Sequence, residues 1–354
     1  MLDFTGKTIV ITGGTGSLGK VLTRRLLAGE NGTPQKIIIF SRDEAKQHYM
    51  RVEYQQKIKA TDEIIYRNFE QLLEFRIGDV RYYPSVCAVL KNADIVVNAA
   101  ALKQVPSCEY FPFEAVQTNI AGAENIVRAI REHDLPIATV VGVSTDKACK
   151  PVNVMGMTKA LQERVFIAAN INAPSTRFVC VRYGNVLASR GSVIPLFHEQ
   201  IKTGGPVTIT TEDMTRFLLP LDKGVDTIFA ALEHAQPGET FIPRVPAARI
   251  LDVAKALIGD RPIPLVVSGI RPGEKVHEIL VSDEEAWRTY PRGDYYAIQP
   301  MLPELVKDQP SAPPLPKEYS SSDTVMTFAE TCALLERYRL MVGQDLIEEG
   351  ETLR

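Results

Sequence analysis

A glycine-rich run at residues 12–19, Thr-Gly-Gly-Thr-Gly-Ser-Leu-Gly, constrains the fold of this 354-residue chain more than any other feature. It follows a β-branched segment at residues 7–11, which predicts a strand, and precedes an amphipathic segment at 20–27, which predicts a helix. The glycines permit a tight turn, the close approach of a pyrophosphate and tight packing of helix on strand. Free N–H groups at the start of the helix suit phosphates. The pattern predicts a dinucleotide site with contacts from Gly13, Thr15, Gly16, Ser17, Leu18 and Gly19.

Further strand-like segments alternate with helical segments as far as residue 186. Strands are predicted at 36–40, 73–77, 93–97, 137–143 and 178–181, and helices at 44–59, 113–132 and 154–170. This alternation is typical of an α/β fold with a doubly wound parallel sheet, the extended Rossmann fold. Residues 61–70 do not fit the pattern and are interpreted as an addition.

The alternation fades after residue 186, which predicts a division of the chain. We expect residues 1–186 to form the nucleotide-binding domain with the catalytic residues. Residues 187–308 would form a smaller α+β region that mainly binds substrate. Residues 309–354 would add a proline-rich connector, at 309–317, and a C-terminal helix, at 327–341.

Composition excludes several classes of protein. The net charge of −3 indicates neither a nucleic-acid partner nor a membrane-surface partner, and no apolar run approaches the roughly 20 residues of a membrane-spanning helix. No N-terminal signal segment is apparent, so we expect a cytoplasmic location. The five cysteines lack Cys-x-x-Cys spacing, which predicts reduced thiols and neither a disulfide framework nor a metal site.

The residues after the second strand favour NADP as the dinucleotide. Ser41 and Arg42 stand where NAD-selective enzymes usually place an acid, and Lys46 lies one helical turn later. A hydroxyl and two cations suit a 2′-phosphate, although Asp43 could instead reach a ribose.

Two further turns would complete the cofactor site. After the third strand, Asp79 and Val80 would hold and cover an adenine, or Asp79 would cap a helix. The residues after the fourth strand are small enough for the backbone to approach the cofactor, and they are Ala99, Ala100 and Ala101.

The polar tetrad Ser-Thr-Asp-Lys at residues 144–147 marks the predicted centre of the chemistry. It follows the apolar strand at 137–143, and open α/β sheets bind ligands at the carboxyl ends of their strands. Lys159 lies four residues after Met155, so the two share one face of the next helix. An acid, a base and a hydroxyl therefore cluster at the mouth of the sheet, which Lys103 also faces.

Other candidate residues lie on later elements. Asn119 is a polar residue on a largely packed helix face, where it bonds backbone near the active strand or is exposed. Asn119, Tyr183 and Asn185 are predicted cofactor contacts, together with Lys103 and Lys159. Arginines of the C-terminal half suit a diphosphate because a guanidinium binds oxyanions with two parallel bonds, although each alone could form a surface ion pair. The predicted substrate contacts are Lys103, Thr145, Asn185, Ser192, Val193, Arg216, Arg271 and Glu274.

Together these motifs resemble the extended short-chain dehydrogenase/reductase superfamily, and within it the UDP-N-acetylglucosamine 4,6-dehydratases. The resemblance covers most of the chain and rests on residues 12–19, 40–44, 78–81, 99–106, 144–147, 155–159, 182–186, 189–195, 214–217, 271–278 and 318–321. It implies bound NADP and a nucleotide-sugar substrate. It further implies oxidation of the sugar at C4, elimination of water across C5 and C6, and return of the hydride to C6.

The resemblance also implies roles for Lys159 and for Thr145, Asp146 and Lys147, which are called the catalytic turn below. Asp146 would protonate the departing 6-hydroxyl, and Lys147 would remove the C5 proton. Thr145 would bond the sugar near its 4-hydroxyl, and Lys159 would hold the nicotinamide ribose. Because a 4-ketone acidifies the C5 hydrogen, a lysine with a lowered pKa can remove it.

One residue departs from the superfamily pattern. Met155 replaces the tyrosine of Tyr-x-x-x-Lys, and a thioether cannot take a proton. The C4-hydroxyl proton would then pass to Asp146, to Lys147 or to a water near Lys159. Some members of the dehydratase family share this form, and residues 101–107 favour those that invert C5. The alternative functions are a UDP-sugar 4-epimerase and an NADP-bound regulatory protein without turnover.

The predicted helices at 113–132 and 154–170 are unusually apolar. Two such helices can pack against another copy of the chain. We therefore expect a homo-oligomer, either a dimer or a hexamer.

Overall fold

The structure is a computed structural model that describes residues 1–60, 69–187, 192–306 and 310–344. Most of the predicted addition at 61–70 lies outside these residues. So do residues 189–191 of one matching stretch and the last ten residues of the acidic C-terminus.

The strands of the described residues are numbered here in chain order. They are β1 (Thr8–Thr12), β2 (Lys36–Ser41), β3 (Leu73–Ile77), β4 (Ile95–Asn98), β5 (Thr139–Thr145), β6 (Arg177–Tyr183), β7 (Asn185–Val186), β8 (Val207–Ile209), β9 (Thr215–Leu219), β10 (Thr240–Pro243), β11 (Ala247–Arg249), β12 (Leu265–Val267), β13 (Ile279–Val281), β14 (Thr289–Arg292), β15 (Tyr295–Ile298) and β16 (Tyr319–Ser320).

The helices of the same residues are α1 (Ser17–Leu27), α2 (Glu44–Ala60), α3 (Tyr83–Leu90), α4 (Val105–Tyr110), α5 (Pro112–Ala115), α6 (Gly122–His133), α7 (Val154–Asn172), α8 (Val193–Lys202), α9 (Leu221–His234), α10 (Ile250–Ile258), α11 (Asp283–Ala286) and α12 (Phe328–Arg337). A π-helical turn (Val116–Ala121) joins α5 to α6. Short 3₁₀ turns follow β5 (Asp146–Ala148) and β15 (Pro303–Leu305).

Within the described ranges, the main sheet has nine strands in the order β3-β2-β1-β4-β5-β6-β10-β15-β14. All neighbouring strands from β3 to β10 pair in parallel, whereas β15 pairs antiparallel with both β10 and β14. The order reverses at β1, because the chain first moves outward to β3 and then crosses back to β4. Ligands of doubly wound sheets bind outside the carboxyl ends of the strands near such a reversal.

Both faces of the parallel strands are buried because helices cover each of them. Ile9 and Ile11 of β1 pack into one hydrophobic cluster with α1 and α9. Val10 packs into a second cluster with α3, α6 and α7. Burial on both faces explains why these strands are continuously apolar in sequence.

The C-terminal half both extends the main sheet and builds a smaller region. Strands β10, β14 and β15 continue the sheet beyond β6, while the small sheets β11-β9-β7, β12-β8 and β13-β16 lie apart from it. Helices α8, α10 and α12 enclose a third hydrophobic cluster in this region. The assignment of substrate binding to residues 187–308 stays a prediction.

The predicted α/β class with a doubly wound sheet is confirmed, and the first six strands lie within two residues of their predicted bounds. The long helix predicted at 113–132 is found as one continuous helical segment, whose middle part, Val116–Ala121, is π-helical. The C-terminal helix is shorter than predicted and ends at Arg337. Among the described residues, no helix has both the length and the hydrophobicity to cross a bilayer.

Candidate functional site

A cleft of about 1000 Å³ opens at the carboxyl ends of the parallel strands. Its walls come from the main sheet on one side and from the C-terminal half on the other. Of all the residues predicted to bind cofactor or substrate or to take part in the chemistry, only Asn119 and Asp146 do not line it. The fold therefore brings the separate motifs together at one place.

The glycine turn packs directly against the turn that follows β4. Gly13 has a φ of +66°, and a Cβ there would lie 2.7 Å from the backbone nitrogen of Ala100. A side chain at Gly19 would overlap the backbone of Gly14. Since Thr15 to Gly19 and Ala99 to Ala101 line the same cleft, these close approaches form a backbone cradle that fits a pyrophosphate.

Cations and a hydroxyl lie at the outer end of this cradle, where β2 ends. Arg42 Nη1 is 3.8 Å from Asp79 Oδ2, and Lys46 Nζ is 3.6 Å from Asp43 Oδ2. Asp43 Oδ1 also accepts from the backbone N–H of Lys46 at 3.0 Å, so this acid caps the start of α2. Ser41 Oγ accepts from the side-chain amide of Gln47.

Asp79 lines the cleft and also holds its own turn. Its carboxylate accepts from the backbone and the side chain of Arg81 at 2.7–2.9 Å. Although burial favours the neutral acid, these hydrogen bonds outweigh it and lower the pKa of Asp79. The alternative that Asp79 caps a helix is wrong, because the N-cap residue of α3 is Tyr82 and the Asp79 carboxylate bonds to Arg81 instead. Asp79 lines the cleft, and its contact with an adenine stays a prediction.

The catalytic turn follows β5 without a break. Thr145 Oγ1 donates to Asp146 Oδ1 at 2.7 Å, and Lys147 Nζ donates to the same oxygen at 3.1 Å. Lys147 Nζ also donates to Asn185 Oδ1 at 3.1 Å and lies 3.7 Å from Glu278 Oε1. A hydroxyl, two carboxylates and an amine thus form one connected group.

Asp146 lies behind the cleft wall, not on it. Its side chain is 1% exposed, and Oδ2 has no hydrogen-bond partner among the described residues. The expectation that this carboxyl opens directly into the cleft needs correction. It reaches the cleft through Thr145 and Lys147, both of which line it.

Lys147 and Lys159 have opposite electrostatic surroundings. For Lys147, burial favours the neutral amine, but the carboxylates of Asp146 and Glu278 outweigh it and raise the pKa. The predicted lowering of the pKa of Lys147 is therefore wrong in this structure. Among the residues that the structure describes, no carboxylate forms a salt bridge with Lys159, and burial lowers its pKa to about 8.

Lys159 is held beside β5 by two uncharged hydrogen-bond partners. Its Nζ donates to the backbone oxygen of Val143 at 2.5 Å and to Gln162 Oε1 at 2.7 Å. Because carbonyl dipoles compensate a buried cation only in part, the amine loses its proton more readily than that of an exposed lysine. Lys159 also lines the cleft, within reach of whatever occupies the space in front of β5.

Asn119 positions the backbone and does not line the cleft. Its amide nitrogen donates to Leu102 O and Thr158 Oγ1, and its Oδ1 accepts from Leu102 N. The predicted contact of Asn119 with a cofactor is corrected by this geometry, since its amide contacts the backbone near the active strand. Met155 is buried against Cys108 and Ala115 and contributes an apolar patch to the cleft.

The C-terminal wall contains the remaining predicted residues. Arg216 donates to the backbone oxygens of Thr215, Lys275 and Val276 at 2.7–3.0 Å. These bonds use most of the N–H donors of Arg216. Its guanidinium therefore stabilises the wall and has few donors left for a substrate.

Four other predicted substrate contacts line the same wall. Arg271 is exposed there, and the buried hydroxyl of Ser192 has no partner among the described residues. Glu274 accepts from Thr210 at 3.5 Å. Val193 completes the set at the start of α8.

A buried ion-pair network supports the catalytic turn from behind. Arg182 Nη2 donates to Glu163 at 2.6 Å, and Arg182 Nη1 donates to Glu285 at 2.7 Å. Ser144 Oγ donates to Glu163 at 2.5 Å. This network ties the ends of β5 and β6 to α7 and α11. Cys149 lies against it, where burial raises the pKa of the thiol to about 12, so Cys149 is a packing residue.

Sequence reasoning missed two residues that shape the site. The first is Glu278, which lines the cleft next to Lys147. It ends the matching stretch at residues 271–278, in which only Arg271 and Glu274 were predicted to be functional. A side chain at Gly156 would overlap the carbonyl oxygen of Lys147, so glycine lets α7 press against the catalytic turn. Neither role has a local signal, because both depend on contacts between distant segments. Among the described residues, no group of three or more His, Cys, Asp or Glu side chains could hold a metal ion.

The sheet order, the glycine cradle and the cleft define an extended short-chain dehydrogenase/reductase fold. An X-ray structure of Pen from Bacillus thuringiensis superimposes with a TM-score of 0.84 and 32% identity, covering 96% of this chain and 99% of that one. The chain belongs to the polysaccharide biosynthesis protein family, whose profile matches residues 9–300.

Two curated relatives carry different activity names. A UDP-N-acetylglucosamine 4,6-dehydratase (inverting) from Campylobacter jejuni is 42% identical over 308 residues, 86% of each chain. A UDP-glucose 4-epimerase from Rickettsia conorii is 46% identical over 300 residues, 83% of each chain. The dehydratase and the epimerase are therefore the two activities to weigh against the geometry of the cleft.

We predict that Lys159 makes the free energy of unfolding depend on pH in the alkaline range. Its folded pKa of about 8 lies below its ordinary value of 10.5, so the unfolded chain binds more protons between these values. Stability therefore rises with pH across this window, by about 3 kcal/mol at most. Denaturant unfolding of wild type and Lys159→Met from pH 7 to 10.5 measures this, and the difference between them should grow with pH in favour of wild type. A difference that stays constant would contradict the prediction.

Proposed function

We propose that the chain is an NADP-dependent 4,6-dehydratase that acts on UDP-N-acetylglucosamine. The observation that carries the proposal is the hydrogen-bonded group of Thr145, Asp146 and Lys147. Thr145 and Lys147 line the cleft that contains the glycine cradle, and Asp146 lies directly behind them. An epimerase needs hydride transfer at C4 but no acid to expel a hydroxyl. The similarity to the dehydratase of Campylobacter jejuni supports the same activity.

The buried ion pair provides both protonation states that an elimination needs. Bound NADP would supply the hydride acceptor that oxidises C4 and the hydride that later returns to C6. Transfer of one proton along the 3.1 Å contact from Lys147 to Asp146 leaves a neutral amine beside a neutral acid. The amine then removes the acidified C5 proton. The proton of Asp146 passes to Thr145 Oγ1, which lines the cleft and gives up its own proton to the 6-hydroxyl, so that this group leaves as water. Afterwards the pair is again a cation and an anion.

The contacts allow two routes for the C4-hydroxyl proton, because Met155 cannot accept it. Thr145 Oγ1 lies on the cleft wall, one hydrogen bond from Asp146. Lys159 lies on the same wall, and its pKa of about 8 leaves part of its amine neutral near pH 7. Asp79 and Val80 would hold the adenine at the far end, and Arg271 would bind the diphosphate of the sugar nucleotide.

Mass spectrometry and NMR of the product test this function. Incubation with UDP-N-acetylglucosamine and NADP should yield a product lighter by one water, and we infer inversion at C5 from the relatives named inverting. Asp146→Asn should lower the dehydration rate about 100- to 10,000-fold, because the amide cannot donate the carboxyl proton. A product of unchanged mass with inverted C4 would instead establish the epimerase, for which the Rickettsia relatives are named. Absence of any product despite bound NADP would favour the regulatory alternative.

We propose NADP over NAD because Ser41, Arg42 and Lys46 line the end of the cleft. Asp43 lines it too, but its carboxylate accepts from the backbone N–H of Lys46 and so caps α2. Arg42→Ala should weaken NADPH binding about ten- to a hundredfold, the effect of one charge-assisted hydrogen bond to phosphate. Binding of NADH, which lacks the 2′-phosphate, should change little and serves as the control. Fluorescence titration measures both, and an equal loss for the two nucleotides would contradict the assignment.

We also propose a cytoplasmic homo-oligomer, either a dimer or a hexamer. Met157, Leu161 and Ile171 of α7 are about half exposed, beside a shallow groove of about 330 Å³ between α6 and α7. Such an apolar face supports association of two copies. All five cysteines are free thiols, as the cytoplasm favours. Light scattering that gives the mass of one chain would contradict the assembly.

A further inference from the structure

Glu278 is a buried carboxylate on the cleft wall with no assigned role. The residue is 4% exposed and immediately precedes β13. Its Oε1 lies 3.7 Å from Lys147 Nζ and 3.6 Å from Arg216 Nε. Its Oε2 is buried and has no hydrogen-bond partner among the described residues. A carboxylate in this state is costly unless charges compensate it, and here Lys147 and Arg216 do so.

The C-terminal segment fixes Glu278 in place. The backbone N–H of Glu278 donates to Ser321 Oγ at 2.9 Å, and Ser321 N donates to Glu278 O at 2.8 Å. Ser321 Oγ also lies 2.6 Å from Thr215 Oγ1. The pairing of β13 with β16 thereby anchors the carboxylate from a segment far away in sequence.

Arg216 is also fixed by the backbone, whereas the Lys147 side chain is partly exposed at the cleft. The Nη groups of Arg216 donate to three backbone oxygens. The Lys147 side chain is 25% exposed and faces the open cleft. Glu278 therefore lies between Arg216, which the backbone holds, and Lys147, which lines the cleft where a substrate would bind.

We propose that Glu278 is a positioning residue for Lys147, whose ammonium it holds at the cleft wall and for which it remains the counter-ion while Asp146 carries a proton. The catalytic part of this inference rests on the dehydratase function proposed above. The contact between Glu278 and Lys147 does not.

The charges around Lys147 explain why one carboxylate is not enough. Asp146 faces it from the same turn, Glu278 and Arg216 face it from the C-terminal half, and Asn185 contributes a neutral amide oxygen. Asp146 is neutral from the transfer of the Lys147 proton until the 6-hydroxyl leaves, and Lys147 becomes a cation again within this interval, when it removes the C5 proton. Glu278 is then the carboxylate of this set that remains, and without it the Lys147 cation would face Arg216 uncompensated. Both carboxylates raise the pKa of Lys147, so loss of Glu278 makes the amine a weaker base.

Amine labelling of the full chain tests the contact without reference to activity. Competitive acetylation by acetic anhydride across a pH series, followed by peptide mass spectrometry, gives the apparent pKa of Lys147. In Glu278→Gln it should fall by about one unit or more, a tenfold loss of proton affinity. Glu304→Gln, which removes an equal charge at an exposed position of the same half, should leave it unchanged. An unchanged value in Glu278→Gln would overturn the proposal.

Kinetics with UDP-N-acetylglucosamine test the catalytic consequence. Glu278→Gln should lower kcat for dehydration about tenfold or more while KM stays within about twofold, and it should move the pH–rate profile to lower pH. Glu278→Asp keeps the charge and should show smaller changes of both kinds. If Glu278→Gln unfolds, Glu278→Asp is tested in its place. A kcat and a pH–rate profile identical to those of wild type in Glu278→Asp would then overturn the proposal. If the wild-type chain gives no dehydration, the proposed function fails, and the labelling result still decides the role of Glu278.

Discussion

A lysine between two buried carboxylates is the interaction on which this site depends. Removing a cation from water is expensive, and the interior accepts it only when opposite charges and hydrogen bonds compensate. Lys147 obtains this compensation from Asp146 and Glu278, with Asn185 as a neutral partner. The same contacts favour the charged amine and place its proton within hydrogen-bond distance of Asp146.

The fold provides each partner from a different part of the chain. Strand β5 ends in the turn that contains Asp146 and Lys147, and Gly156 lets α7 pack against that turn. The pairing of β13 with β16 brings Glu278 from the C-terminal half. The glycine cradle lies on the same edge of the sheet, because all the strands of the parallel part direct their carboxyl ends there. Hydride chemistry and proton chemistry can therefore occur in one cleft.

Local sequence patterns predicted the parts of this arrangement that local physics determines. Apolar β-branched runs predicted the first six strands, and the glycine spacing of residues 12–19 predicted the turn after β1. The burial of Asp146 and the raised pKa of Lys147 were not predictable from local patterns. Burial depends on the packing of the whole fold, and Glu278, more than a hundred residues away, adds to the effect of the neighbouring Asp146 on the pKa of Lys147. Asn119 was ambiguous for a similar reason, since its hydrogen-bond partners lie on other segments.

The central claim is that Lys147 moves the C5 proton of the sugar while the C4 position is oxidised. NMR of UDP-N-acetylglucosamine incubated with the protein and NADP in deuterated water measures this transfer directly. The account predicts deuterium at C5 of the product of the wild-type chain. It predicts none at C5 in any species formed by Lys147→Ala, even where C4 is oxidised. Deuterium at C5 at the wild-type rate in Lys147→Ala would contradict it.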